Sequence, residues 1–334
     1  MRHRSAASWV SLVLALYPAS VAALLLLLPA LQPRNGPLAL AAVLGMHLAV
    51  AAVVLVPLAL HRGSRPLRWA LVALSVVAVV RLGDEWVSMP AVRAADPSAE
   101  LTVVSWNLEF GARAGESAIE GLRGPDLDVV ALQELGADHA AAIEADADLG
   151  RRFPHRELVP RDGVFGMGVL SAYPILRSEI AVDPVSIEAV LDVDGRPVTL
   201  ITGHPLPGRI GFLGPVPVSF DPGQRDLALT QFRARVDAAI ARGETVIVTG
   251  DFNTAPTEPA FGPFIDGLAD AHREVGFGPG WTWRPSRFEG FGLGLLRIDL
   301  ALSGPGARPV AIAERCSLPG DHCQLEARFA FEGR

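Results

Sequence analysis

Thr245-Val246-Ile247-Val248-Thr249-Gly250-Asp251-Phe252-Asn253 is an apolar run of strand length that ends in a turn bearing an acid and an amide. A run with so little polar alternation reads as a strand covered on both faces. The stretch before it reads as a helix. Asp221 can cap, Pro222 suits the first turn and Gln224 can reach back, after which Leu229, Phe232, Val236 and Ile240 form one apolar face until Gly243. Working outward, the same kind of strand recurs. Leu101 to Trp106 ends in Asn107, Leu127 to Leu132 in Gln133-Glu134, and Val198 to Thr202 leads to His204. Gly168 to Ser171 and Ile187 to Val193 are further runs. Arg297-Ile298-Asp299 opens the strand Ile298 to Leu302, and Asp321-His322 precedes Gln324 to Phe331. Helical stretches intervene, among them the alanine-rich Asp138 to Asp148, and Pro205 to Pro222 reads as a long loop. No internal repeat is visible. The pattern predicts an α/β layered domain of about 240 residues.

Polar residues at strand ends are where open sheets gather ligands. Glu134, Asp251 and Asp321 offer hard oxygen donors, and Asn107 and Asn253 offer neutral carbonyl oxygens and amide donors. Such a set suits Mg²⁺ or Mn²⁺, whereas zinc is disfavoured by the lack of a His/Cys set. His204 and His322 complete the inventory, with Asp299 the candidate partner of His322. A histidine held by a carboxylate stays protonated near neutrality and can stabilise developing negative charge. Taken singly, each residue has a plain structural reading: Asp251 and Asn253 can make a turn, and His204 can be a satisfied core histidine.

All 29 basic residues are arginine, which excludes lysine-dependent chemistry such as a P-loop lysine or a Schiff base. Charge is uneven. Residues 1–95 hold eight Arg against Asp84 and Glu85, a net of +6, and the remainder carries 21 Arg against 34 acids, a net of −13. The first part also contains three apolar stretches, Trp9 to Leu31, Leu38 to Leu60 and the shorter Leu67 to Leu82. About 20 helical residues cross a bilayer core, so three membrane spans are predicted. A cleavable signal peptide is the alternative for the first, but its apolar run is longer than a signal core and two more follow. Arg2, Arg4, Arg62, Arg65 and Arg68 outweigh Arg34 in the first loop, which places the N-terminus in the cytoplasm and everything after the third span on the outer face. The domains expected are a membrane anchor over 1–90, a linker over 91–99 and a catalytic domain over 100–334. Cys316 and Cys323, the only cysteines, can form a bridge in an oxidising compartment or remain two free thiols.

Ser105-Trp106-Asn107, Gln133-Glu134, Gly168-Val169-Leu170-Ser171, Thr202-Gly203-His204, Gly250-Asp251-Phe252-Asn253, Arg297-Ile298-Asp299 and Asp321-His322 resemble, in order, the motifs of the endonuclease/exonuclease/phosphatase (DNase I-like) superfamily. The resemblance covers about residues 100 to 332. It implies a four-layer α/β sandwich, two central β-sheets flanked by helices, with the site where the sheet ends meet. It also implies roles: Glu134 as main metal ligand with Asn107 nearby, Asp251 aligning or deprotonating the attacking water, Asn253 contacting the scissile phosphate, His322 oriented by Asp299 against the pentacovalent phosphorus, and Asp321 contributing to a metal site. His204 matches the histidine of DNase-like and sphingomyelinase-like members. This chain departs from the family in having Gly320 where a serine often precedes the Asp-His pair.

The function these readings favour is a membrane-anchored, Mg²⁺-dependent phosphoester hydrolase, with the bilayer and a phosphoester as its partners and no obligate protein partner. A non-catalytic membrane-bound sensor of a phosphorylated ligand is the alternative, disfavoured because binding alone needs neither Asp251 nor His322. The net charge of −13 weakens a high-affinity nuclease reading, since phosphate neutralisation supplies most non-specific nucleic-acid affinity. Trp281-Thr282-Trp283 can be a substrate-facing shelf or aromatics buried below a loop, and Glu109, Arg113 and Arg209 are candidates for the rim.

Overall fold

Along the first strand, Glu100–Asn107, Leu101 and Val103 enter one apolar cluster while Val104 and Trp106 enter another. This period-two division buries both faces, and it repeats across two sheets. The structure, a computed structural model, describes residues 6–53, 64–88, 100–110, 116–124, 127–286, 294–318 and 320–331. Its strands are β1 (Glu100–Asn107), β2 (Val129–Gln133), β3 (His155–Val159), β4 (Met167–Ser171), β5 (Ile175–Val182), β6 (Val185–Val193), β7 (Arg196–Gly203), β8 (Arg209–Leu213), β9 (Val216–Asp221), β10 (Thr245–Asp251), β11 (Ala269–Asp270), β12 (Asp299–Ser303), β13 (Ala307–Arg315) and β14 (Gln324–Phe331).

One six-stranded sheet runs β13-β14-β1-β2-β4-β3 and the other β11-β12-β10-β7-β6-β5. Each holds one parallel pair at its centre, β1 with β2 and β7 with β10, with antiparallel neighbours on both sides. Two sheets without a visible sequence repeat thus share one pairing scheme. Side chains of both, including Val103, Val129 and Leu325 from the first and Ile187, Leu200 and Ile247 from the second, form a common core. Helices Glu116–Leu122, Ala137–Ala145 and Ala147–Arg152 cover the outer face of the first sheet through Leu122, Ile143 and Leu149. Helix Arg225–Ala241 covers the second, Phe232 stacking edge-on against Phe252 at 5.0 Å. The result is a four-layer α/β sandwich.

The structure differs from the sequence expectation at three places. Asp221 does not cap a helix: it ends β9, paired with Arg209 at 3.1 Å, and Gly223 (φ +58) turns the chain into a helix that begins at Arg225. Pro205 to Pro222 is not all loop, because β8 and β9 form a hairpin turning at Gly214 (φ +60). The alanine-rich helix is two, broken at Asp146, whose carboxylate accepts from the Asp148 and Leu149 amides at 2.9 Å and so starts the second.

Two units divide these residues. One combines Met1–Asp84 with Arg209–Pro222 and Pro256–Phe261; the other combines Glu85–Gly208, Gly223–Ala255 and Gly262–Arg334 and holds both six-stranded sheets. In the first unit, helices Ala6–Leu31 and Arg65–Leu82 meet through Ala15, Leu67 and Leu71. By length and composition Leu14–Leu31 and Arg65–Glu85 can cross a membrane. The middle apolar stretch instead breaks at Leu44 into Gly36–Val43 and Gly45–Val53. Beside the break the Thr257 hydroxyl donates to the Ala42 carbonyl at 2.5 Å. The rest of that stretch, with Arg2, Arg4, Arg62, Arg113 and the 91–99 linker, lies outside the described residues.

The second unit starts with a buried ion cluster. Glu85 (2% exposed) accepts from Arg273 Nε at 2.7 Å and also from Arg297, and Arg297 reaches both oxygens of Asp270 at 2.9 and 3.1 Å. Gly278 N donates to the Trp86 carbonyl at 2.9 Å and Ser88 Oγ to the Gly276 carbonyl at 2.7 Å, so residues 85–88 are sewn into this unit. Cys316 and Cys323 are disulfide-bonded.

Candidate active site

The two central parallel pairs deliver four functional residues at their carboxyl ends: Asn107 from β1, Glu134 after β2, His204 after β7 and Asp251 from β10. β7 and β10 approach so closely that a Cβ on Gly250 (φ +148) would lie 2.2 Å from the Gly203 carbonyl oxygen, which is why glycine precedes Asp251. Glu134, Asn253 and Glu109 adopt left-handed backbone, at φ 55°, 51° and 55°. Side chains pay a steric penalty in that region, and it concentrates here, where the chain leaves its strands.

Asp251 is the hub. Its Oδ2 receives Asn107 Nδ2 at 3.0 Å and lies 3.4 Å from His204 Nε2 and 3.5 Å from His322 Nε2, while Oδ1 accepts from Asn253 N at 3.0 Å. Burial pushes its carboxyl up, but the two histidines and the Asn107 amide outweigh that and hold it below the usual carboxylate range. Asn107 Nδ2 also donates to Glu134 Oε1 at 3.0 Å, and the other Glu134 oxygen accepts from Phe110 N at 2.8 Å. His204 has acceptors on both nitrogens, the Val164 carbonyl at 3.0 Å from Nδ1 and the carboxylates of Asp251 and Glu134 around Nε2. Burial opposes its charge; these partners prevail and raise its pKa.

His322 Nδ1 meets Asp299 Oδ2 at 2.9 Å. Against the opposing effect of burial, Asp299 and Asp251 push the imidazole up to about 10, so it carries the pair's proton at neutral pH. Asp321 stands at the edge. Trp283 Nε1 donates to its Oδ2 at 3.1 Å, its Oδ1 is buried with no hydrogen-bond partner among the described residues, and burial raises its pKa to about 6.

The structure therefore joins Asn107, Glu134, His204, Asp251, Asn253, Asp299 and His322 through direct contacts, with Asp321 held beside them by Trp283. Several participants were not read from the sequence. Thr282 Oγ1 accepts from the amides of Ile298 and Asp299 at 3.3 and 3.2 Å and fixes the start of β12. Arg225, 2% exposed, donates to the Asn253 carbonyl at 2.8 Å and braces its left-handed turn. Trp281-Thr282-Trp283 was the available signal for Thr282 and Trp283, although its use is polar support. Glu109 reaches the rim, accepting from Asp321 N at 3.2 Å, whereas Arg209 is committed to Asp221 in the hairpin.

A divalent cation fits one side of this cluster. Glu134 Oε1 and Asp251 Oδ2 converge on a shared Asn107 donor, and Glu134 keeps 16% of its side chain open. Donor atoms of Asp251, Asp299 and His322 also lie within 4.8 Å of one another, but Asp299 and His322 are committed to each other. In this arrangement Asn107 Oδ1 accepts from Glu109 N at 2.9 Å, so Asn107 serves the carboxylates as a donor.

A model of the Endonuclease/Exonuclease/phosphatase family matches residues 104–322. No curated protein sequence matches the chain. Among solved structures, the Neisseria 3′ phosphatase NExo bound to product DNA hairpin is 19% identical, with TM-score 0.54 over 70% of this chain and 100% of that one. A humanized D. rerio TDP2 is 19% identical, with TM-score 0.53 over 70% and 99%. An endonuclease/exonuclease/phosphatase from Beutenbergia cavernae is 19% identical, with TM-score 0.52 over 70% and 72%. At these identities the likeness is one of fold.

Proposed function

We propose, on the premise that this chain belongs to the endonuclease/exonuclease/phosphatase family, that it is a membrane-anchored, metal-dependent phosphoester hydrolase. The observation that carries the reading is Asp251, an ionised carboxylate ringed by Asn107, His204, Asn253 and His322. A carboxylate held below its usual range is a weak base but a firm acceptor, and its role is to align the attacking water. The His322 imidazolium, with its Nδ1 proton on Asp299, presents Nε2–H to the negative charge that builds on phosphorus-bound oxygen. Asn253 supplies a neutral amide beside it, on a turn braced by Arg225. Glu134, with Asn107 and Asp321 nearby, would hold Mg²⁺ or Mn²⁺, which when bound neutralises phosphate charge.

The anchor lies within residues 1–90, its last residues from Glu85 on packing into the second unit, and the linker 91–99 leads to a catalytic domain over 100–334. Three spans, the middle one broken at Leu44, with the N-terminus in the cytoplasm, put that domain on the outer face. The arginine distribution supports this orientation, and so does the Cys316–Cys323 bridge, which persists in oxidising compartments.

The test is turnover by the full chain of a panel of nucleic acids, phospholipids, phosphodiesters and phosphomonoesters in Mg²⁺ or EDTA. Hydrolysis of at least one class in Mg²⁺ and its loss in EDTA is the expected result; no turnover of any class refutes the activity. Reporter fusions at residue 95 test the topology separately, and a cytoplasmic signal there refutes the outer-face placement.

A further inference from the structure

We infer that the cavity beside His204 is a subsite for an apolar substituent on the phosphoester, which makes the substrate an amphiphilic phosphodiester. The inference rests on the hydrolase reading above and deepens it. The cavity, about 770 Å³, opens between the Phe165 loop, the turn joining β5 to β6 and the first turn of helix Arg225–Ala241. Phe165, Val182, Pro184, Val185, Leu206 and Leu227 form its walls.

Four of those side chains are exposed: Phe165 by 42%, Val182 by 61%, Leu206 by 43% and Leu227 by 54%. Single exposed apolar residues are ordinary, but four around one concavity of ligand-binding size mark a place where an apolar group is taken out of water. The cavity borders the reacting cluster at His204 and Pro205. His204 lines it and stands 3.4 Å from Asp251, and the carbonyl of Pro205, also a lining residue, accepts from Asn253 Nδ2 at 3.0 Å. A substituent of a phosphate at the cluster that extends past His204 and Pro205 reaches this wall.

Charge decides what that substituent is. The ionisable residues lining the cavity besides His204 are Arg161, Asp162 and Asp183, one cation against two anions. A neighbouring phosphate of a polynucleotide would find no net positive charge there, since Arg161 and the raised-pKa His204 are matched by Asp162 and Asp183, whereas an alkyl or acyl chain meets apolar walls and loses nothing electrostatically.

The experiment uses the full chain held in an amphipol without free detergent, and p-nitrophenyl phosphodiesters whose second substituent is methyl, propyl or hexyl. Each fully buried methylene is worth about fourfold, so partial burial of the hexyl chain raises kcat/KM by at least about tenfold over methyl. Leu227→Asp and Phe165→Ser, both at exposed positions that folding tolerates, each reduce the hexyl-to-methyl ratio to below about threefold. Calorimetry in EDTA with methyl and hexyl esters of methylphosphonic acid, which lack the labile bond, gives a readout independent of turnover. Turnover with a flat chain-length series overturns the subsite, as does faster cleavage of a dinucleotide than of the hexyl ester. Chain-length-dependent binding without turnover of any ester keeps the subsite and refutes the hydrolase; neither binding dependence nor turnover refutes both.

Discussion

His322 and Asp299 are held 2.9 Å apart, Nδ1 to Oδ2, with both side chains buried. Asp299 is itself fixed by Thr282, whose hydroxyl accepts from the amides of residues 298 and 299. The carboxylate thus sets both the orientation and the charge of the ring. Asp299→Asn keeps the shape and removes the charge, and kcat for a phosphodiester is expected to fall by about 10²- to 10⁴-fold with KM within about threefold. Steady-state kinetics checks this; a kcat within about threefold of wild type means the pair has no part in the reaction.

Glu85 is the stability test. It is the buried counter-ion of Arg297 and Arg273, contributed by the residues immediately after the last apolar helix. Glu85→Gln removes the Glu85 charge from Arg297 while leaving its pairing with Asp270. Loss of this carboxylate from a buried cation is expected to cost on the order of 3 kcal/mol, read as a lowered unfolding midpoint by tryptophan fluorescence. An unchanged midpoint would show that the cluster contributes nothing net.

His272 sets a pH dependence. Its Nε2 faces the carbonyls of Glu85 and Gly278 at 3.1 and 2.9 Å, and Nδ1 lies 3.3 Å from Glu314 Oε1, so every one of these neighbours is an acceptor. Burial and the Arg297 charge oppose protonation, but Glu314 and the Gly278 carbonyl raise the pKa above 6.5. A raised folded-state value makes the contribution complete below 6.5 and lost as pH climbs through the folded value. The midpoint difference between wild type and His272→Gln should accordingly be largest at pH 5 to 6 and shrink toward pH 9. A difference that grows with pH contradicts the assignment.

The strands legible in the sequence are the interior ones. β1, β2, β4, β6, β7, β10, β12 and β14 each have a strand partner on both sides and carry either near-continuous apolar runs, as in β2 and β10, or apolar residues alternating with polar ones, as in β6 and β14. The strands missed in the two large sheets, β3, β5, β11 and β13, are their four edges. β3 and β5 are half-exposed along their length and β11 is two residues long, so a two-sided core leaves little imprint on them. The site divides similarly. Asn107, Glu134, His204 and Asp251 were visible because each sits at the end of a readable strand. Arg225 was invisible because a guanidinium bonded to the Asn253 carbonyl is a tertiary contact with no local pattern. In the N-terminal part the sequence shows apolar length alone, which cannot register the break at Leu44 or the hydrogen bond that Thr257, more than two hundred residues away in sequence, makes to Ala42 beside it.

The most direct test of the central claim is the initial rate of Mg²⁺-dependent phosphodiester hydrolysis by the full chain, compared with Asp251→Asn. The substitution keeps the side chain's size but removes the charge on which Asn107, His204, Asn253 and His322 converge. The rate is expected to fall by about 10³-fold or more, and EDTA is expected to abolish it in the wild type. A variant rate within about threefold of wild type, or a wild-type rate indifferent to EDTA, would contradict the account.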